Sequence, residues 1–169
     1  MRKNICFVTP TYNASFHLTE CYESLKEQTN PNWDWIILND MSNDDTLKIA
    51  CDIARSDERQ RVSVVNHKEK KFALKGVYDY LSGYKDFSQQ IIAILDGDDA
   101  LCNENTVDLL LKNYESETDA IWTAHTWDIN GMNISRPLPD GLKINPYQYS
   151  WCTSHLKTFR SNLDNQKII

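Results

Sequence analysis

The stretch Ile91-Ile92-Ala93-Ile94-Leu95-Asp96-Gly97-Asp98-Asp99 joins an apolar run directly to three carboxylates around one glycine. A short apolar run that is bounded by turn residues indicates a buried strand. Asp96, Asp98 and Asp99 repel one another, and taken alone such a turn is an ordinary polar loop. A divalent cation removes the repulsion, and oxygen ligands suit Mg²⁺ or Mn²⁺. The stretch therefore predicts a buried strand that ends at a candidate metal site.

Other apolar runs of similar length lie on both sides of this stretch. The further predicted strands are Ile5–Thr9, Trp35–Leu38, Val62–Val65 and Ala120–Thr123. Between the strands, apolar residues recur with helical spacing. The predicted helices cover 18–25, 47–54, 73–81 and 107–114. Strands that alternate with helices imply an α/β fold, in which helices flank a mainly parallel sheet.

Two less regular segments complete this prediction. Ser42 and Asp45 have the spacing of a capping box at the start of the second helix, with Asp in place of the usual Glu or Gln. After about residue 125, glycines and prolines predict loops with room for one hairpin. These residues are Gly131, Pro137, Pro139, Gly141 and Pro146. We predict a final helix within 150–169.

Length and composition exclude several classes of protein. The chain has 169 residues, of which 41% are hydrophobic and 25% charged, as expected for one globular domain. Its net charge of -6 argues against a nucleic-acid partner. No apolar run approaches the roughly 20 residues of a membrane span, and residues 1–4 do not have the apolar h-region of a signal peptide. Five scattered cysteines without metal spacing predict reduced thiols and a cytoplasmic location.

Polar or functional residues follow three of the predicted strands. Pro10-Thr11-Tyr12 follow the first strand, Asp40 follows the second, and Asp96-Gly97-Asp98-Asp99 follow the fourth. In open parallel sheets, ligands bind beyond the carboxyl ends of the strands. The sequence therefore predicts that these three groups lie on one edge of the sheet, where they form a binding site.

The positions of the glycines restrict what can bind there. The chain has five glycines, and the first is Gly76. This excludes a glycine-rich dinucleotide or phosphate loop after the first strand. A diphosphate bound at this edge would then be neutralised by a metal that the carboxylates hold.

Several of these segments, in this order, resemble the opening of family 2 glycosyltransferases. The segments are Phe7–Ala14, Cys21–Thr29, Trp33–Thr46 and Asp96-Gly97-Asp98, the last of which stands where the family has its D-x-D motif. The resemblance extends from residue 5 to about residue 100. It implies a single GT-A-like domain over 1–169, in which 1–100 bind the nucleotide sugar and 101–169 begin a truncated acceptor part.

The resemblance also implies roles at the nucleotide. Pro10–Tyr12 would border the nucleobase and ribose, and Asp40 would hydrogen-bond the base. Lys70 or Lys71 would lie near the nucleotide. The donor would be a UDP- or GDP-sugar, and the acceptor would be a glycan, protein or lipid.

At the D-x-D motif, the resemblance implies a metal-dependent transfer with inversion. Asp98 and Asp96 would ligate Mn²⁺ or Mg²⁺, Asp96 and Gly97 would contact the nucleotide sugar, and Asp99 would assist. A carboxylate would deprotonate the acceptor hydroxyl. We expect that base beyond residue 169, although Asp128 and Asp140 are available. Trp151 and His155 are candidates for contacts with the acceptor or diphosphate.

The sequence departs from the family pattern at three positions. Asn39-Asp40-Met41-Ser42 stands where the family often has Asp-Asp-Gly-Ser, so the base contact falls to Asp40 alone. Met41 would be strained if its φ is positive. Gly76 stands where related sequences often have Asn. A further prediction is that Trp35 and Trp122 belong to the core.

Two alternative functions stay open from the sequence. A sugar-1-phosphate nucleotidyltransferase requires a glycine-rich signature near its N-terminus, which this chain lacks. A non-catalytic or degenerate nucleotide-sugar-binding module fits the short segment after the D-x-D motif.

Overall fold

Strands and helices alternate along the chain in the computed structural model, which describes residues 4–83, 90–115, 118–126, 130–133 and 156–161. The strands are β1 (Asn4–Thr11), β2 (Trp33–Asn39), β3 (Val62–Asn66), β4 (Gln90–Ile94), β5 (Ala120–Trp122) and β6 (Lys157–Arg160). The helices are α1 (Leu18–Lys26), α2 (Thr46–Ser56), α3 (Ala73–Gly83) and α4 (Thr106–Asn113). The predicted α/β class and each of the predicted elements up to β5 are confirmed.

The strands form one sheet in the order β3-β2-β1-β4-β6-β5. β1 pairs in parallel with both β2 and β4, and β2 pairs in parallel with β3. Thr11 lies opposite Asn39 at the end of the β1–β2 pair, whereas the β1–β4 pair ends at Val8 and Ile94. β1 therefore extends past β4 at the carboxyl edge, which leaves space for the turn that follows β4.

The alternating side chains of β1 reach both hydrophobic cores. Ile5 and Phe7 pack in the larger core, with residues of α1, α2 and α4. Cys6 and Val8 pack on the opposite face, where Val77 of α3 covers them. This period of two is expected of a central strand that helices cover on both sides.

Trp35 of β2 anchors the larger core, as predicted. Its ring is fully buried and stacks on Tyr22 of α1, with 5.8 Å between the ring centroids. Its indole N–H donates a 2.7 Å hydrogen bond to the Thr9 hydroxyl, so the polar atom of this large ring is satisfied. Trp122, in contrast, is 42% exposed, and its prediction as a core residue is wrong because β5 lies at the sheet edge.

The predicted final helix within 150–169 is wrong at Lys157–Arg160, which form β6. This strand runs antiparallel between β4 and β5, and Ile92 of β4 lies opposite Phe159. Without β6, the backbone of β4 would be unpaired on one side, and unpaired strand edges are unfavourable when buried. Pairing within the sheet therefore outweighs any local helical preference here.

The predicted capping box at the start of α2 is also wrong. Asp45 is the N-cap residue but makes no side-chain capping bond. The preceding carboxylate of Asp44 accepts the 3.0 Å hydrogen bond from the Thr46 N–H instead. Ser42 accepts a 3.0 Å hydrogen bond from the Asn13 N–H, which joins two loops rather than capping the helix.

Three remaining predictions concern the loops, the thiols and the membrane. An antiparallel bridge joins Thr126 and Asn133 in the segment with room for a hairpin. The described cysteines, Cys6, Cys21, Cys51 and Cys102, are free thiols, and Cys152 lies outside the described residues. In the part of the chain that the structure describes, no helix has the length and apolarity that a membrane crossing needs.

Candidate functional site

The carboxyl ends of β1, β2 and β4 lie side by side, as predicted from the three strand-end groups. The Asp40 N–H, just after β2, donates a 2.9 Å hydrogen bond to the carbonyl of Thr11. On the other side of β1, the Leu95 N–H donates a 3.2 Å hydrogen bond to the carbonyl of Val8. The end of β1 thus lies between Asp40 and the acidic turn that begins at Asp96.

Hydrogen bonds join the loops that follow β1 and β2. The Ala14 N–H donates a 2.8 Å bond to the Thr46 hydroxyl, and the Ser15 N–H donates a 3.2 Å bond to Asp44. Burial raises the pKa of Asp44, but the hydrogen bonds from Thr46 and Ser15 outweigh it and lower the pKa to about 2. An ionised Asp44 therefore fixes one loop against the other at the edge of the site.

Asp40 is buried and holds the loop between β3 and α3. Its Oδ1 accepts a 2.7 Å hydrogen bond from the Lys71 N–H, and its Oδ2 accepts a 2.8 Å bond from the Phe72 N–H. His67 Nδ1 lies 3.4 Å from Oδ1, and Lys70 Nζ lies 3.7 Å from Oδ2. Burial alone raises the pKa of this carboxyl, but these four partners outweigh it and hold the pKa below its ordinary value.

The two lysines of this loop have different surroundings. Lys70 Nζ lies 2.7 Å from the centroid of the Tyr12 ring and 3.3 Å from the carbonyl oxygen of Asp40. Lys71 instead extends toward α3, where its Nζ donates a 2.7 Å hydrogen bond to Asp79. Lys70 is thus the cation beside the half-exposed Tyr12 ring, and Lys71 contributes its backbone N–H to Asp40.

Strained backbone surrounds the site. Asn13, Met41 and Phe72 have φ values of 52°, 59° and 61°, in the left-handed region that favours glycine. The strain predicted for Met41 at a positive φ is therefore present. Each such residue costs roughly 1–3 kcal/mol and persists only where its surroundings fix it. Here the hydrogen bonds from Asn13 to Ser42 and from Phe72 to Asp40 fix two of the three.

The acidic turn after β4 lies directly on β1. The Asp99 N–H donates a 3.1 Å hydrogen bond to the carbonyl of Asp96, which closes the turn over Gly97 and Asp98. Gly97 is buried, and a Cβ built there would lie 2.7 Å from Cγ2 of Thr11. Only glycine allows this approach, so Gly97 places the exposed Asp96 and Asp98 at the edge beside β1.

The carboxylates of this turn fit a cation that a ligand would help to hold. Among the described residues, no three His, Cys, Asp or Glu side chains form a metal-binding group. Mg²⁺ and similar ions are commonly bound through one or two carboxylates together with substrate phosphates. Asp96 and Asp98 supply such a donor set. The nearby thiol is not a candidate, because burial, with Asp99 and Asp98, raises the pKa of Cys21 to about 12.

The structure brings together most of the site residues that the sequence predicts. Those that lie on this edge are Pro10, Thr11, Tyr12, Asp40, Lys70, Lys71, Asp96, Gly97, Asp98 and Asp99. Trp151, His155, Asp128 and Asp140 lie outside the described residues. Sequence reasoning missed His67, which directly follows β3. The strand-end argument applied to β3 would have found it, because β3 is parallel to β2 and ends at the same edge.

The chain is similar to a curated glycosyltransferase and to solved structures. GlyG, a glycosyltransferase from Streptococcus pneumoniae serotype 4, is 31% identical over 120 residues, which are 71% of this chain and 38% of GlyG. TarS 1-349 from S. aureus in complex with UDP-GlcNAc matches with a TM-score of 0.68 and 19% identity. That match covers 94% of this chain and 45% of TarS 1-349.

A second solved structure has the same fold. The mannosyltransferase PcManGT from Pyrobaculum calidifontis, in complex with GDP-Man and Mn²⁺, matches with a TM-score of 0.69 and 16% identity. The match covers 93% of this chain and 44% of PcManGT. This chain spans less than half the length of each of these three proteins. The structural matches confirm the predicted GT-A fold.

The family model for glycosyl transferase family 2 matches residues 6–164. These residues include the loop that Asp40 holds, the acidic turn and the inserted strand β6. The match extends beyond residue 100, where the resemblance read from the sequence ends. The chain belongs to glycosyltransferase family 2.

Proposed function

We propose that this chain binds the nucleotide-sugar donor of a metal-dependent glycosyltransferase that inverts the anomeric carbon. Residues 1–100 form the donor part, and 101–169 begin the acceptor part. The observation that carries the proposal is the arrangement around the end of β1. There, Asp40 with its basic loop lies on one side, and the acidic turn at Asp96 lies on the other.

The β2 side of this edge suits a nucleoside. The Tyr12 ring is half exposed, and together with Pro10 it offers a flat surface for a base and ribose. Oδ1 of Asp40 accepts the hydrogen bond from the Lys71 N–H and also faces His67, whereas Oδ2 accepts one short hydrogen bond, from the Phe72 N–H. Oδ2 therefore retains a second lone pair that can take an N–H of uracil or guanine. Lys70, held over Tyr12, supplies positive charge toward the phosphates.

The β4 side suits a diphosphate. Asp98 and Asp96 would hold Mn²⁺ or Mg²⁺, which when bound supplies positive charge that stabilises the diphosphate leaving group. Gly97 lets this turn lie against Thr11, so the two carboxylates keep a fixed position relative to the nucleoside side. These residues thereby orient the anomeric carbon of the donor.

The relatives support this choice of donor. Solved structures with this fold carry UDP-GlcNAc in one case and GDP-Man with Mn²⁺ in another. We propose a UDP- or GDP-sugar donor here, and the hydroxyl of a glycan, protein or lipid as the acceptor. The free thiols of Cys6 and Cys21 fit a reducing compartment, so we place the protein in the cytoplasm.

The proposal is tested by thermal unfolding with UDP, GDP and their common sugar conjugates, in Mn²⁺ or in EDTA. A ligand of the native state raises the Tm by mass action. We expect one nucleotide to raise the Tm in Mn²⁺ only, and Asp98→Asn to abolish the rise. Asp52→Asn is the matched control, because Asp52 is an exposed carboxylate on α2 that pairs with Arg55. If no nucleotide shifts the Tm in Mn²⁺, the proposed donor binding is wrong.

A further inference from the structure

We propose that Gly76 and His67 position the carboxylate of Asp40 for nucleotide binding. Gly76 lies inside α3, and His67 directly follows β3. Both are remote in sequence from Asp40 and from the acidic turn. The inference rests on the proposed function, because it assigns a positioning role at the same nucleotide site.

His67 is fixed by its backbone and by its surroundings. Its N–H donates a 3.0 Å hydrogen bond to the carbonyl of Asn39, which continues the β2–β3 pairing by one residue. Its side chain is 9% exposed, and Nδ1 lies 3.4 Å from Oδ1 of the equally buried Asp40. The imidazole ring therefore has little freedom to move away from the carboxylate.

Gly76 has no conformational reason to be glycine. Its φ is not in the left-handed region, and glycine inside a helix is less favourable than alanine. A Cβ at this position would lie 3.0 Å from Cε1 and 3.7 Å from Nδ1 of His67. Such a contact is tighter than side chains normally make, so the ring would have to shift. Because Gly76 has no side chain, the His67 ring has room for its observed position.

The loop that leads into α3 carries two other partners of Asp40. The N–H groups of Lys71 and Phe72, which precede α3, donate the two short hydrogen bonds to the carboxylate. α3 and Asp40 are therefore linked twice, through these amides and through the close approach of the Gly76 position to the His67 ring. A change in the distance between α3 and the His67 ring alters the position of the carboxylate.

This arrangement predicts opposite effects of Gly76→Ala on the helix and on the site. Alanine favours the helix, and this gain offsets the cost of displacing the His67 ring. Any fall in the Tm of Gly76→Ala should therefore be no larger than the rise in the Tm of Gly83→Ala. Nucleotide affinity, measured by calorimetry in Mn²⁺, should fall about tenfold, the order of one hydrogen bond to a charged group. Gly83→Ala is the matched control, because a Cβ there would meet none of the described residues within 4 Å, and its affinity should equal that of wild type.

A second set of variants separates positioning from packing. His67→Leu fills the space without a donor and should also weaken binding about tenfold, whereas His67→Asn supplies a donor near the Nδ1 position and should restore most of the affinity. His67→Asn also removes the Cε1 atom, so Gly76→Ala should have no further effect in that background. If Gly76→Ala lowers the nucleotide affinity by the same factor in wild type and in the His67→Asn background, the inference is wrong. It is also wrong if Gly76→Ala alone has the affinity of wild type.

A measurement in the absence of nucleotide tests the positioning of Asp40 independently of nucleotide binding. The pKa of Asp40, followed by its carboxyl ¹³C shift, should rise in Gly76→Ala and His67→Leu and stay unchanged in Gly83→Ala. If wild type binds no nucleotide but the pKa of Asp40 shifts in these variants as stated, the proposed function is wrong, whereas the effect of Gly76 and His67 on Asp40 is confirmed. If the pKa of Asp40 is the same in all variants, the positioning role itself is wrong.

Discussion

At the scale of single residues, the site depends on close approaches that leave no room for a side chain. Gly97 is the clearest case, because its Cα lies against the buried Thr11 at the end of β1. Thr11 is held in turn by the 3.2 Å hydrogen bond from its hydroxyl to the carbonyl of Leu38. Rotating the Thr11 side chain to relieve a clash would therefore break this hydrogen bond.

We predict that Gly97→Ala destabilises the protein by about 1–3 kcal/mol, as overpacking of a filled core does. The measurement is urea unfolding followed by circular dichroism. Thr11→Ser removes Cγ2, the atom that the new Cβ would meet, and keeps the hydroxyl, so Gly97→Ala/Thr11→Ser should be no less stable than Thr11→Ser alone. A cost of Gly97→Ala that is equal in both backgrounds would place the clash elsewhere.

At the scale of elements, the loops after β1 and β2 act as one unit because Asp44 accepts hydrogen bonds from both Ser15 and Thr46. These bonds lower the pKa of Asp44 from 3.8 to about 2. A carboxyl whose pKa is lower in the folded state stabilises the fold above its unfolded pKa. That stabilisation is lost as the pH falls through the folded pKa.

We therefore predict that Asp44→Asn lowers the free energy of unfolding near pH 6, and that its difference from wild type shrinks between pH 4 and about pH 2. The measurement is urea unfolding across this range at constant ionic strength. Asp45→Asn is the charge control, because it removes the adjacent carboxylate, which makes no capping hydrogen bond. A difference between Asp44→Asn and wild type that is constant with pH would contradict this prediction.

The elements that the sequence predicts correctly are those with an apolar run or with apolar residues at helical spacing. Ile91–Leu95 and Ile5–Thr9 are apolar enough to indicate buried strands, and parallel strands place their carboxyl ends on one edge. The contact of Asp40 with the Lys71 N–H could not be predicted, because backbone amides carry no signal in the sequence and the partners lie 31 residues apart. Phe72 was missed for the same reason.

At the scale of the whole molecule, the last described strand completes the sheet. Lys157–Arg160 are too few, and too mixed in polarity, to indicate a strand on their own, and only the unpaired edge of β4 makes them one. The strand pattern around Trp122 predicts a core residue, but β5 lies at the sheet edge, where the exposure of Trp122 is expected. Both errors concern the order of strands, which local patterns do not specify.

Thr158 joins β6 to two other parts of the protein through its side chain. Its buried hydroxyl accepts a 2.6 Å hydrogen bond from the Tyr114 hydroxyl, after α4, and donates a 2.9 Å bond to the carbonyl of Ile121 in β5. We predict that Thr158→Val destabilises the protein by about 1–3 kcal/mol, because Tyr114 is buried and its hydroxyl would lose this acceptor.

Tyr114→Phe tests the origin of that loss. It removes the same hydrogen bond but leaves Thr158 bonded to Ile121, so it should cost less than Thr158→Val when both are measured by urea unfolding. Both substitutions remove the same hydrogen bond, so the loss in the double variant should be smaller than the sum of the two single losses. Strict additivity would mean that the Tyr114–Thr158 bond does not hold β6 to α4. β6, which neither apolar pattern nor spacing predicts, would then be held by its backbone pairing with β4 and β5, the packing of Phe159 and the hydrogen bond from Arg160 to the carbonyl of Thr118.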